Sequence, residues 1–160
     1  MLRPALISAL LLGSALPALA QNVAFGGIKA DTSALVEMSA DSLSVNQKDG
    51  SATFTGNVVI AQGEMKLQAG KVTVTYVEGG QQRIQSLHAT GGVVLVSGPD
   101  AAEAVEAVYN VESGVIDLSG DVVLTQGQNV MTGDKMQVSL ADGTAQVQGR
   151  VRTVLQPGGN

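Results

Sequence analysis

One histidine, 14 carboxylates and no cysteine are the residues of this chain that acid–base, nucleophilic or metal chemistry could draw on. His88 stands between Leu87 and Ala89, and with no second histidine and no thiol it has no partner to complete a metal site. It reads as a strand residue whose ring is hydrogen-bonded or solvated. Carboxylates gather beside turns, at Asp49, Glu78, Glu112 and Asp142, where acidic tips meet water. A glycoside-cleaving acid pair is the one chemistry this composition leaves open, but no pair stands out. Phe25, Phe54, Tyr76 and Tyr109 are the aromatic residues, too few for sugar-stacking subsites. No serine-hydrolase elbow, zinc-protease helix, phosphate loop or calcium loop occurs. Glycine-led segments do occur, yet a phosphate cradle needs a helix start behind the glycine, and here a β-branched run follows. The chain is expected to be a binder or scaffold and not an enzyme, with no catalytic residues, no metal and no cofactor.

The elements that would position such a binder are legible from repetition. "GNVVIAQG" begins at Gly56 and "GDVVLTQG" at Gly120, 64 positions later. The register holds on either side, since Asn46 meets Asn110, Gly50 meets Gly114, Lys71 meets Lys135 and Val74 meets Val138. Weaker openings at Gly91 and Gly149 place the four glycines 35, 29 and 29 residues apart, so a unit of about thirty residues repeats, two units making the 64-residue period. Apolar residues alternate with polar ones inside each unit: Leu43 and Val45; Phe54, Val58 and Ile60; Ala107, Tyr109 and Val111; Ile116, Leu118, Val122 and Leu124; Met136, Val138 and Leu140; Ala145, Val147 and Val151. Period-two alternation describes half-buried strands. Lys48-Asp49-Gly50, Glu78-Gly79-Gly80, Glu112-Ser113-Gly114 and Ala141-Asp142-Gly143 supply the turns between them. A glycine inside a strand marks a bulge or a corner, so recurrent glycines predict repeated corners that fold the strands over a shared interior. The segment "DAAEAVEAV" from Asp100 to Val108 is composed for a helix. The 64-residue register maps it onto alternating strand, which favours a strand from about Val105.

The first twenty residues stand apart. Arg3, the apolar stretch from Ala5 to Leu16 and the ending Ala18-Leu19-Ala20 describe a cleavable secretory signal at residues 1–20. The apolar stretch is too short to span a bilayer, which takes about 20 residues. Without Arg3, 8 basic residues face 14 acidic ones, a net charge of −6 that argues against a nucleic-acid partner. An exported chain without cysteine relies on backbone pairing and apolar burial. Residues 21–35 are expected as a flexible lead-in to one domain over 36–158.

Those residues also carry a likeness. "ADSLSVNQKDGSATFTGNVVIAQGEMKLQAGKVTVTY", Ala40 to Tyr76, resembles the OstA-like family of periplasmic lipopolysaccharide-transport proteins, most specifically through Thr53 to Val59 followed by Gln62-Gly63. The second copy "LSGDVVLTQGQNVMTGDKMQV" and the terminal "VRTVLQPG" resemble the later parts of the same pattern, so the likeness spans about residues 36–158. It implies an all-β fold, an antiparallel folded-sheet β-jellyroll or "β-taco" with an internal duplication and an apolar groove along its length. It further implies a periplasmic bridge protein that shields the acyl chains of lipopolysaccharide and stacks head to tail. Such a stack runs from an inner-membrane transport component of the same fold to an outer-membrane barrel component. The groove candidates are Phe54, Val58, Ile60, Leu67, Val74 and Val93 with Leu95, Leu118, Val122, Leu124, Met136 and Val138. The N-terminal edge, with Leu35, Val36, Met38 and Leu43, would meet one partner, and the C-terminal edge, with Val147, Val151 and Leu155, the other. Headgroup contact would fall to local cations, Lys66, Lys71, Lys135, Arg150 or Arg152. Three readings of the inner set stand side by side here: a lipid groove, the closed core of a β scaffold without a ligand, and the framework of a carbohydrate-active β-helix enzyme.

Overall fold

The computed structural model describes residues 22–24, 31–79 and 83–157. The expected signal at 1–20 lies outside the described residues. Twelve strands form one antiparallel sheet: β1 (Asn22–Ala24), β2 (Val36–Ser39), β3 (Ser42–Val45), β4 (Ala52–Gln62), β5 (Met65–Tyr76), β6 (Ile84–Ser97), β7 (Asp100–Ala104), β8 (Glu106–Asn110), β9 (Val115–Gln126), β10 (Asn129–Ser139), β11 (Thr144–Gln148) and β12 (Arg152–Val154). No helix occurs among the described residues, and the all-β antiparallel class expected from the sequence is the class observed.

Three pairs of short strands are single strands broken at a corner. β7 and β8 both pair with β6 and with β9, on either side of Val105. β2 and β3 both pair with β4, and β11 and β12 both pair with β10. Eight long strands therefore meander side by side, each bent near its middle, and the bends line up as a crease across the sheet.

The crease is built by the four repeated glycines. Gly56, Gly91, Gly120 and Gly149 have φ of 83°, 81°, 84° and 75°, and the residues after them, Asn57, Gly92, Asp121 and Arg150, are also left-handed, at 45°, 80°, 45° and 44°. Two residues of β4, Gly56 and Asn57, thus oppose Gly70 alone in β5, which is a bulge that bends and twists the strand. Three of the four corner glycines also abut the preceding strand so closely that a Cβ would collide, with Asp41 at Gly56, with Val105 at Gly120 and with Asp134 at Gly149. Only glycine fits there. The corner explains a point that alternation alone would miss. In β5 the inward set runs Met65, Leu67, Ala69 and then changes parity to Val72 and Val74, whereas the bulged strand β4 keeps one parity from Ala52 to Gln62.

Bending divides the sheet into two walls. Wall I carries β2, the second halves of β4, β6 and β9, the first halves of β5 and β10, β7 and β12; wall II carries the remainder. The expected turns at residues 48–50, 112–114 and 141–143 join strands of wall II, as does the one beginning at Glu78. Residues 100–108, composed for a helix, are strand from Asp100 except at Val105, because pairing to β6 and β9 on both sides outweighs intrinsic propensity. The stretch 21–35 supplies β1 and a turn at residues 31–35.

Candidate functional site: the inner face of the folded sheet

The inner face is formed where the walls meet. Of the twelve groove candidates, eleven are 0–3% exposed; Phe54, near the sheet edge, is partly buried and packs against them. The duplicated pair Ile60 and Leu124 both lie inside, while their neighbours Val59 and Val123 face outward. The groove candidates omit further members of this face: Ile116 and Leu140, which already stand in the alternating sets, and Met65, Val72 and Leu87, which do not. The register pairs Val72 with Phe54 and Leu87 with Val74, so a candidate's cross-strand neighbour is the signal that finds them.

Polar groups on this face keep to one lip. Among the described residues the buried polar side chains are Gln62, Ser97 and Asp100. All three lie at strand ends of wall I, around the turns at Gly63 and Gly98. Gln62 ties the walls together: its Oε1 accepts a hydrogen bond of 2.8 Å from the Tyr109 hydroxyl of wall II. Its Nε2 donates to the carbonyls of Thr32 and Ala34, 3.1 Å each, which holds the 31–35 turn over this end. Burial pushes the Tyr109 hydroxyl above its ordinary pKa, so it remains a donor.

Candidates for chemistry lie elsewhere. His88 is half-exposed on the outer face, with Nε2 3.2 Å from Glu106 Oε2, and Ser119 Oγ donates to Glu106 Oε1 at 3.1 Å. His88 and then Ser119 hold the Glu106 carboxyl below its ordinary range. The serine meets the carboxylate and not the imidazole, so this trio lacks the contact by which a histidine would activate a serine nucleophile. Asp49, Glu78, Glu112 and Asp142 are exposed at their turns. No group of three or more potential metal ligands occurs among the described residues. The candidate cations Lys66, Lys71, Lys135, Arg150 and Arg152 are all exposed, and the inward neighbours of Lys66 and Lys135 show that these two face outward. Arg150 is engaged with Asp134, with contacts of 2.5 to 3.3 Å, and this holds the Asp134 carboxyl below its ordinary range.

The edges differ from expectation in part. Leu35, Leu43, Val151 and Leu155 are exposed, at 84%, 56%, 42% and 65%, whereas Val36 and Met38 are partly buried against the core. Val147, expected at the C-terminal edge, is 3% exposed: its side chain points between the walls. Leu43, Val45 and Val151, which alternation marks as inward, are exposed, because β3 and the segment leading into β12 extend beyond the cover of the opposite wall. β1 pairs with β11 through Asn22–Gln146, Val23–Ala145 and Ala24–Thr144, so part of the C-terminal edge is already occupied.

The family described as "LptA/(LptD N-terminal domain) LPS transport protein" matches residues 37–144. An uncharacterised protein of Rhizobium meliloti is 32% identical over 161 residues, covering 94% of this chain and 87% of its own length. The lipopolysaccharide export system protein LptA of Escherichia coli K12 is 28% identical over 157 residues, covering 92% and 80%. Among solved structures, LptH of Pseudomonas aeruginosa, the LptA-homologous periplasmic component of its lipopolysaccharide transport device, superimposes with a TM-score of 0.69 at 21% identity. That match covers 80% of this chain and 99% of LptH, and it shows a common fold. A folded sheet with repeated glycine corners and a continuous aliphatic inner face is thus accompanied by a family match across both repeats, and the chain belongs to the LptA/LptD N-terminal-domain family of LPS transport proteins.

Proposed function

We propose that this chain is a periplasmic carrier that shields the acyl chains of lipopolysaccharide between its two walls and stacks with like domains to form a bridge. One observation carries the reading: the inner face is aliphatic from strand to strand, and its buried polar side chains keep to one lip. Burial of a methylene contributes on the order of 0.8 kcal/mol, so an acyl chain of about a dozen carbons gains roughly 10 kcal/mol gross on leaving water. These contacts have no direction. A wall of Val, Ile, Leu, Met and Ala gives a chain no preferred stopping point, and a stacked neighbour continues the same wall. The walls pack against each other, so acyl chains are admitted by parting them, with the Tyr109–Gln62 bond the first polar tie to break.

Stacking uses the edges. β2 and β3 each pair on one side with β4, and their other side offers unpaired backbone groups to an added strand. At the opposite edge β12 pairs only with β10 among the described strands, while β1 occupies β11. A downstream neighbour therefore gains the full C-terminal edge only when β1 leaves it. Upstream the partner is an inner-membrane transport component of the same fold; downstream it is an outer-membrane barrel component.

A photo-crosslinking residue placed in cells at Ile60 or Leu124, with Val59 and Val123 as outward controls, tests the groove. Lipopolysaccharide adducts at the inward pair alone are expected. Adducts at none of the four in a folded, exported protein would leave a β scaffold without a lipid ligand.

A further inference from the structure

We infer that Asp100 is the polar contact of the groove with its ligand, accepting a hydrogen bond from a hydroxyl or amide N–H where the acyl chains join the sugar of an acylated glycolipid. The inference rests on the carrier reading and names a residue within it. All 14 carboxylates of the chain fall within the described residues, and Asp100 is the one that is buried, at 4% exposure. It shares inward parity with Ala102, which is 0% exposed, so its side chain points between the walls. Its Oδ2 has no hydrogen-bond partner among the described residues.

Its row makes the vacancy informative. Met65 pairs with Gln62 and with Ser97, and Ser97 in turn with Asp100, so these residues run in line along the lip of wall I. Gln62 in that line is fully engaged, with Tyr109, Thr32 and Ala34. Three strands further along, Asp100 keeps an acceptor idle in the same kind of position. An unpaired buried acceptor destabilises a fold, more so when charged, and an unexplained one in a binding cleft points to a ligand that completes it.

The chemistry of the missing partner follows from the acceptor. A carboxylate wants a donor, and it repels phosphate; among the described residues no basic side chain is buried beside Asp100 to offset that repulsion. Position gives the rest. Asp100 sits where the aliphatic face ends, at the depth where the acyl chains of a glycolipid give way to their amide and hydroxyl attachments.

Binding of purified rough-type lipopolysaccharide and of methyl dodecanoate to the purified protein, compared with Asp100→Val and Asp100→Ala, which leave no acceptor there, tests the assignment. Lipopolysaccharide binding is expected to weaken about tenfold or more in both variants, as for loss of a hydrogen bond to a charged group. Methyl dodecanoate, which has neither a donor nor a charge, should bind the variants within about twofold of the parent, and the variants should melt no lower. Unchanged lipopolysaccharide affinity in either folded variant overturns the inference and leaves the carrier reading intact. Parent protein that binds neither ligand overturns both. Lipopolysaccharide binding that EDTA abolishes in the parent would put a bridging divalent cation at Asp100 and overturn the donor contact. The alanine variant, smaller than the native residue, keeps the test open if the valine variant fails to fold.

Discussion

In the middle of the sheet every strand has two neighbours and the crease is filled by packing; at the two ends strands have one neighbour and the crease is tied by charge. Val105 is the central case. Its N–H lies 3.1 and 3.0 Å from the carbonyls of Ser119 and Gly120, its carbonyl accepts from Gly92, and its side chain fills the space where Gly120 lacks a Cβ. The equivalent place near the N-terminal edge is Asp41, whose carboxylate accepts from Asn57 at 2.9 Å, and near the C-terminal edge it is Asp134, which holds Arg150. The centre thus depends on backbone bonding and shape, whereas near the edges exposed polar side chains take part, and at Asp134–Arg150 the tie depends on solvent and pH. For a stacking protein this is the useful arrangement: a fixed interior between ends that can exchange partners.

The sharpest way to break the comparison is at the centre. Gly120→Ala sets a Cβ 2.7 Å from Val105 Cβ at a φ of 84°, so thermal or urea unfolding should show a loss of about 2–4 kcal/mol. Gly92→Ala has the same backbone strain but meets nothing within 4 Å, and should cost about 1–2 kcal/mol. Equal losses at the two sites would mean that packing does not hold the crease.

The tie between the walls comes next. Tyr109→Phe leaves Gln62 Oε1 buried without its donor, an expected loss of about 1–3 kcal/mol by urea unfolding. If the bond also restrains opening of the groove, hydrogen exchange at the Gly63 and Gly98 turns should quicken.

Edge substitutions should leave the fold alone and change association. Leu43→Lys with Val45→Lys puts charge on a strand whose side chains are already exposed. Sedimentation should show self-association weakened about tenfold, roughly 1.4 kcal/mol, with stability within about 0.5 kcal/mol of the parent. Removing residues 21–30 takes β1 from β11 and should strengthen association at the other edge. No response to either change would refute edge-to-edge stacking.

The smallest effect belongs to the charged crease. The folded-state pKa of Asp134 is depressed by Arg150, so the pair stabilises the fold above the ordinary carboxylate range. That contribution disappears as the pH falls through the depressed value. Arg150→Ala should therefore be slightly less stable than the parent at pH 7, with the difference shrinking as the pH falls below the ordinary carboxylate range.

The sequence by itself determined the strands, their turns and the four corners, because alternation and glycine are local signals and the duplication states them twice. It also determined most of the inner face: once Phe54, Val58 and Ile60 are placed on one strand, the 64-residue register carries the choice to Leu118, Val122 and Leu124. What only the tertiary structure decided is which alternating residues gain cover. Leu43, Val45, Val147 and Val151 all have the pattern of inward residues, yet of the four Val147 alone is buried, because burial depends on whether the opposite wall reaches that far. The same holds for Asp100, Gln62 and Tyr109. Nothing in "DAAEAVEAV" marks its first residue as a buried acceptor, and nothing local joins Gln62 to a tyrosine 47 positions away. Folding along the crease sets one lip against the other, and β1 reaches from one end of the chain to an edge at the other. Local chemistry writes strands and corners; long-range closure chooses what they enclose.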